Sequence, residues 1–283
     1  MSLYFTVAIS LIVMIGAAWI ILLCGRNWHP AWKEIEKYRY AHRGLHNGAD
    51  VPENSLAAFR LAAEKGYGAE LDVHLMSDGN LAVIHDSNLR RMTGKDGVIE
   101  QLTLEDLENY RLNGTDEKIP LLKDVLEIFK DRTPLIIELK TRGDNFFALT
   151  AKACELLDTY EGAYCIESFD YRVLKLLKKE RPSICRGQLV EDFTKDKELR
   201  KKYGFFSTFA TANLFTNIYG WPDFIAYKYE DRKNISNRMC ERFWHVHEVF
   251  WTIRDEFDLE IAEFENAVVI FEGIDPGVKE DEE

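Results

Sequence analysis

The chain opens on an uninterrupted apolar run and then settles into an alternation of short apolar segments with amphipathic ones. Residues 3–24 carry no charge, and a helix of that length rises roughly 33 Å, close to the hydrocarbon thickness of a bilayer. Basic residues follow the run at Arg26, Lys33, Lys37 and Arg39, whereas a cleavable signal wants them in front and a small-residue cleavage site behind. The pattern predicts one uncleaved transmembrane anchor over 1–25, with the positive flank keeping the rest of the chain on the cytoplasmic side. Lipoprotein processing at Cys24 fits poorly behind the bulky Leu22 and Leu23. Trp28 and Trp32 suit either an interfacial belt or the floor of a packed domain.

Past a linker at 26–37, residues 38–43 read as a strand, and Pro52-Glu53-Asn54-Ser55 opens a helix with Leu56, Phe59 and Ala63 on one face and Gly66 at its end. Leu71, Val73 and Leu75 alternate with Glu70, Asp72 and His74, and 81–84 forms a second apolar run before His85-Asp86; both read as strands. Helices over 122–130, 146–160 and 171–180 then alternate with strands over 135–140, 163–167 and 184–189. Further strands fall near 224–227, 249–253 and 267–271, while 191–220 shows no legible period. This rhythm over 38–283 predicts a parallel barrel or a doubly wound sheet. There is no internal repeat and no Gly-rich dinucleotide loop, and the acidic end at 279–283 is expected to fray.

Composition narrows the field only in places. A chain of 283 residues with 46% hydrophobic content can bury one barrel-sized core beside an anchor. The 36 basic and 48 acidic residues leave a formal charge of -12, which argues against a nucleic-acid partner and against nonspecific adhesion to an anionic surface. Phosphate chemistry survives that argument, because a few cations in one pocket set the local field. The five cysteines form no CxxC pair and their count is odd, so they read as reduced core residues.

The polar positions inside the strand pattern carry the chemistry. Side chains alternate along a strand, so Glu70 and Asp72 share the face opposite Leu71 and Val73. By the same alternation Glu138 and Lys140 point inward while Leu135, Ile137 and Leu139 meet the helices. Three converging carboxylates repel unless a divalent cation with oxygen ligands holds them, which makes Glu70, Asp72 and Glu138 the candidate metal ligands. His42 and His85, each at the end of a strand, suit proton transfer, one accepting while the other donates. Arg43 and Lys140 suit a phosphate, as planar fork and point charge. His46, His74, His245 and His247 read as bystanders.

Five motifs, AHRG at 41–44, PENSLAAF at 52–59, ELDVHLMSDG at 70–79, VIHD at 83–86 and IELK at 137–140, resemble the glycerophosphodiester phosphodiesterase family. Weaker likeness continues at ESFD, 167–170, and FWT, 250–252, so that the resemblance covers nearly everything after Tyr38. It implies a TIM (β/α)8 barrel that uses a divalent cation, calcium or magnesium, to hydrolyse glycerophosphodiesters to glycerol 3-phosphate and an alcohol. It also implies His42 and His85 as the acid/base pair, Glu70, Asp72 and Glu138 as metal ligands, Arg43 and Lys140 at the phosphate, and Trp251 as an apolar pocket wall. The glycerol 2-hydroxyl is the candidate nucleophile. Departures fall late: Ile253-Arg254 stands where Val-Asn is common, and the FEGIDP ending lacks the more usual Thr-Asp. Both are expected to alter the far pocket wall and with it the leaving alcohol. The anchor motivates an alternative, a lysophospholipase D working on lysophospholipids at the membrane. A silent membrane scaffold that binds phospholipid headgroups would require a gap in the catalytic set, and the motifs show none.

Overall fold

The structure is a computed structural model, and it describes residues 3–279; the end expected to fray lies, from 280 onward, outside the described residues. The apolar run forms helix α1, Leu3–Leu22, with no buried residue. Its last turn joins the domain behind it. Trp19 Nε1 donates to Ser236 Oγ at 3.2 Å, Trp244 Nε1 donates to the Ile20 carbonyl at 2.8 Å, and Leu23 is fully buried. Residues 26–37, expected as a linker, pack across one end of that domain. Arg26 forms an ion pair with the buried Asp223, and Trp32 stacks on His247 with ring centroids 4.3 Å apart. Of the two tryptophans, Trp32 is therefore a floor residue and Trp28 stays exposed.

The first strands are β1, Tyr40–Ala41, then β2, Gly68–Leu75, which follows helix α2, Leu56–Glu64. Ser55 caps α2 by accepting from Ala58 N, which explains why the helix starts where the Pro52–Ser55 turn ends. The run at 81–84 does form a strand, β3, Leu81–Val83, but it pairs antiparallel with β2. Only residues 76–80 separate the two, too few for a parallel crossover. Met76 N donates to Asn80 O, and Gly79 turns the chain at a φ of 86°. Between β3 and helix α3, Leu122–Phe129, the chain builds a small body with its own core, in which Ile84, Leu89, Met92, Ile99, Leu107 and Ile119 are buried together.

From there the βα rhythm holds. Strand β4, Leu135–Leu139, leads through α4, Phe146–Leu157, to β5, Tyr164–Ser168, and through α5, Tyr171–Glu180, to β6, Arg186–Val190. The unread stretch holds a helical hairpin, α6, Lys197–Tyr203, and α7, Phe205–Ala212, before β7, Phe224–Lys228. Helix α8, Ile235–Trp244, strand β8, His247–Ile253, helix α9, Glu256–Phe264, and strand β9, Val268–Phe271, complete the course. Parallel pairings of β1 with both β2 and β9 close eight strands into a TIM barrel, leaving β3 outside the ring.

The inside of the barrel is layered. Trp32, Ile35, Tyr40, Ile136, Cys165 and Phe224 fill the lower part, while a second core of helix-facing residues such as Leu71, Ile137 and Ile166 wraps the outside. All five cysteines are free and buried. Above the apolar filling, at the ends where the strands finish, the inward positions turn acidic.

Candidate active site

Strand register brings the acids together. Parallel pairing sets Asp72 on β2 beside Glu138 on β4, and Glu138 beside Glu167 on β5. One oxygen from each of Glu70, Asp72 and Glu138 lies within 4.8 Å of the others, and all three residues are buried. Burial, with Asp72, Glu138 and Glu167 close by, pushes the Glu70 carboxyl well above the usual range. Burial also takes Glu138 up to about 7, against Lys140 and with the help of Asp72. Asp72 goes the other way: burial opposes its charge, but Lys140, His85, Arg43 and Asn54 hold it well below the usual range.

The cations that do this are fixed in turn. Lys140 Nζ lies 3.1 Å from Asp72 Oδ1 and 3.2 Å from Glu138 Oε2. Arg43 Nε lies 3.4 Å from Asp72 Oδ2, and its Nη1 donates to Glu53 Oε1 at 2.9 Å. Arg43 sits at a φ of 56°, and its backbone N–H donates to Glu70 Oε2 at 3.0 Å. Gly44 makes that turn possible: a Cβ there would stand 2.9 Å from the Ala58 backbone, at a φ of 79°. Asn54 takes a φ of 53° in the PENS turn and donates from Nδ2 to Asp72 Oδ2 at 2.8 Å.

Two imidazoles flank this cluster, each backed by a carboxylate. His42 Nδ1 bonds Glu272 Oε2 at 2.6 Å, and its Nε2 faces Glu70 Oε2 at 3.9 Å. His85 Nδ1 bonds Asp86 Oδ1 at 2.8 Å, and Asp86 is ion-paired with Arg91. Burial lowers both imidazoles from their ordinary value, with the carboxylates opposing it. His85 does not end a barrel strand as the sequence pattern suggested; the antiparallel β3 carries it back down to the mouth. His74 is buried, paired with Glu100 at 2.8 Å, and its Nε2 lies 3.2 Å from the His85 carbonyl, so it braces the neighbouring turn. His247 sits at the floor against Trp32, far from this cluster along the strands, and His245 ends α8. Both ring nitrogens of His46 are buried with no hydrogen-bond partner among the described residues.

A cavity of about 310 Å³ is bounded by His42, Arg43, Glu70, His85, Glu138, Lys140 and Trp251. Trp251 is held by its Nε1–H donating to Ala226 O at 2.9 Å and by the edge of Phe169, ring centroids 5.8 Å apart. A wider polar cavity of about 800 Å³ shares His85, Glu138, Lys140 and Phe169 and runs on past Arg142 and Lys202. All eight residues singled out from sequence thus border one space or its acidic lining. Two of the residues at the late departures stand near His42. Pairing of β8 with β9, and of β9 with β1, puts Arg254 and Glu272 beside His42, with Arg254 Nη2 3.2 Å from Glu272 Oε2.

Several residues of the site escaped the sequence reading, Glu272, Asp86, Asn54, Phe169 and Glu167 among them. Burial first, then Glu138 and Asp72, raises Glu167 well above the usual range, and its Oε2 is buried without a partner. Its inward place on β5, opposite Glu138, was the available signal. Buried hard oxygens crowded to this degree, one of them unpartnered, fit a hard divalent cation better than they fit one another.

A closed eight-stranded parallel barrel whose mouth joins a buried acid cluster to two carboxylate-backed imidazoles defines the class of the protein. A family model described as the glycerophosphoryl diester phosphodiesterase family matches residues 42–217, more than half of the chain, and the protein belongs to that family. A glycerophosphodiester phosphodiesterase of Caldanaerobacter subterraneus subsp. tengcongensis is 35% identical over 161 residues, 53% of this chain and 65% of that protein. A lysophospholipase D of Rattus norvegicus is 34% identical over 134 residues, 43% of this chain and 41% of that protein. The chain thus aligns with less than two thirds of either relative. The fold matches an Oleispira antarctica phosphodiesterase solved with the product sn-glycerol-3-phosphate, with a TM-score of 0.67 and 24% identity over 83% of this chain and 92% of that one.

Proposed function

We propose that the protein hydrolyses glycerophosphodiesters to sn-glycerol 3-phosphate and an alcohol with the help of a divalent cation, calcium or magnesium. The observation that carries this reading is the meeting of Glu70, Asp72 and Glu138 within 4.8 Å, buried, between two imidazoles that each lean on a carboxylate. Glu70, Asp72 and Glu138 hold the cation, which when bound supplies charge neutralisation and polarisation of the phosphate oxygens. The chain's own residues do the rest. Lys140 and the Arg43 guanidinium draw the phosphate to the acid cluster and offset its charge. One imidazole takes at Nε2 the proton of the attacking oxygen: water gives glycerol 3-phosphate directly, whereas the glycerol 2-hydroxyl closes a cyclic phosphate as the bond from phosphorus to the alcohol breaks, and water then opens that ring with the two imidazoles exchanging roles. The other, doubly protonated, gives its Nε2 proton to the departing alcohol oxygen, and Glu272 and Asp86 accept from Nδ1–H of the two rings so that each Nε2 faces the mouth. Trp251 and Phe169 shield one side of the site from water.

The test is release of glycerol 3-phosphate from a panel of diesters, with and without a chelator. Turnover that persists after exhaustive removal of cations overturns the metal assignment. His42→Ala and His85→Ala are each expected to lower kcat by about 10²–10⁴-fold with circular dichroism unchanged; near-normal turnover in either sinks that role.

A second substrate reading, lysophospholipids, is favoured by the way α1 merges into the barrel wall through Trp19, Ile20 and Leu23. We read 1–25 as a retained single-pass anchor, 26–37 as the barrel floor's entry strap and 38–283 as the phosphodiesterase domain. The basic flank favours a cytoplasmic barrel. Comparing glycerophosphocholine with lysophosphatidylcholine as substrates of the full chain separates the two readings.

A further inference from the structure

The chain excursion between β6 and β7 departs from the rest of the surface in composition. In a protein of charge -12, α6 reads KELRKKY, with Lys197, Arg200, Lys201 and Lys202 exposed against the single acid Glu198. Aromatics follow at once. Tyr203, Phe205, Phe206 and Phe209 are all exposed, Phe206 to 84%. Arg200 lies 5.7 Å from the Phe205 ring centroid and Lys202 lies 4.7 Å from that of Tyr203, so cations and rings share one level. Neighbouring rings left in water are unfavourable, whereas a headgroup boundary accommodates both the rings and the cations.

Position supplies the partner. The hairpin leaves β6 at its mouth end, and Lys202 lines the wide cavity that opens from His85 and Lys140. The last turn of α1 lies close to the same hairpin. Gly25 lies against Pro222 O and Val246 at the floor end of β7 and β8. Two residues earlier, the Leu23 carbonyl accepts from Asn217 and from Cys240, midway along α8. Trp19 reaches Ser236 in the first turn of α8, and Ser236 Oγ donates to Asn213 Oδ1, the residue that ends α7. The Ile20 carbonyl meets Trp244 in the last turn of α8 and Trp19 meets Ser236 in its first, so the end of α1 lies along α8 beside Asn213 at the end of α7, and residues 3–15 before it are all exposed.

We propose that the α6–α7 hairpin is a second, peripheral contact with the bilayer that α1 spans: its aromatics enter the headgroup boundary, its cations meet anionic headgroups, and the mouth is held facing the lipid. The proposal rests on α1 being retained and embedded, and it does not depend on which diester is cleaved.

The test uses the full chain in nanodiscs of phosphatidylcholine, with or without phosphatidylserine. An environment-sensitive fluorophore is attached at Ser207→Cys between the exposed rings, or at Ser183→Cys on the floor as a control. Lipids brominated near the glycerol backbone are expected to quench the first at least about threefold more than the second, as burial at the headgroup boundary requires. Arg200→Glu/Lys201→Glu is expected to lower the docked fraction by about fivefold per charge in phosphatidylserine discs, with little change in phosphatidylcholine alone. Phe205→Ser/Phe206→Ser removes the quenching in both, with the melting curve unchanged because the rings are exposed. Equal quenching at 207 and 183 overturns the proposal. So does shielding of 207 that persists in detergent together with cross-links between copies, which assigns the patch to a second molecule. Failure of the chain to enter nanodiscs removes the span and this inference together, whereas loss of diester hydrolysis leaves the quenching readout intact.

Discussion

Glu272 governs His42 more than any other neighbour does. Its hydrogen bond and charge raise the imidazole, while burial, the larger influence, lowers it. The same bond holds the Glu272 carboxyl down at about 2, so it stays ionised wherever the protein is folded and active. In Glu272→Gln only the Asp72 charge is left to oppose burial, and the His42 pKa falls further. If neutral His42 is the base, the acid limb of kcat/KM moves to lower pH while the plateau drops, because the ring loses its orientation. A pH profile on cation-saturated protein checks the sign, and an acid limb moving upward contradicts it. The motifs around His42, His85 and the acids made those side chains legible, since alternation alone tells which positions turn inward. Glu272 and Asn54 were not, for a physical reason. One becomes a neighbour of His42 only when β9 closes on β1, and the other reaches Asp72 only because its turn adopts a positive φ.

Adjacent strands impose a crowding that no isolated strand would show. Glu70 and Glu138 are raised, so the folded barrel binds protons there more tightly than the unfolded chain does. Stability from Glu138 is therefore gained as pH falls through about 7 and is lacking above it, and Glu70, raised well above the usual range, acts in the same direction. A bound cation relieves the same repulsion at high pH and competes with protons at low pH. The rise in Tm on adding calcium or magnesium to cation-free protein is accordingly expected to be larger at pH 8 than at pH 5, by calorimetry; a larger rise at pH 5 would count against the carboxylate cluster as the site. The strands and the first helices were readable because their periods are clean. The β3 strand was seen but its direction was not, since direction depends on the five-residue turn after β2. Helix α6 buries nothing and α7 only Thr208 and Ala212, so neither has a core face to print in the pattern, and the helices after β7 are short with polar residues at buried positions such as Ser236 and Asn237.

At the scale of the molecule, helix α1 and the barrel share a seam. Among the described residues, deleting 1–15 removes only the exposed side chains of 3–15, whereas deleting 1–26 also removes Leu23 from the core and Arg26 from the buried Asp223. Breaking a buried ion pair costs about 3–5 kcal/mol, with Arg186 N–H left as the hydrogen-bond donor to Asp223. Urea denaturation is expected to find the shorter deletion close to the full chain and the longer one destabilised by at least that amount; equal midpoints would show the seam to be dispensable. The small body between β3 and α3 has a different consequence. It is assembled around its own apolar residues, beyond the closed ring, yet it carries one of the two imidazoles. Bodies with separate cores loosen at separate temperatures. Gentle warming is therefore expected to silence the enzyme reversibly while the frame still gives a native spectrum, so that the thermal ceiling on turnover is set by an appendage and not by the barrel.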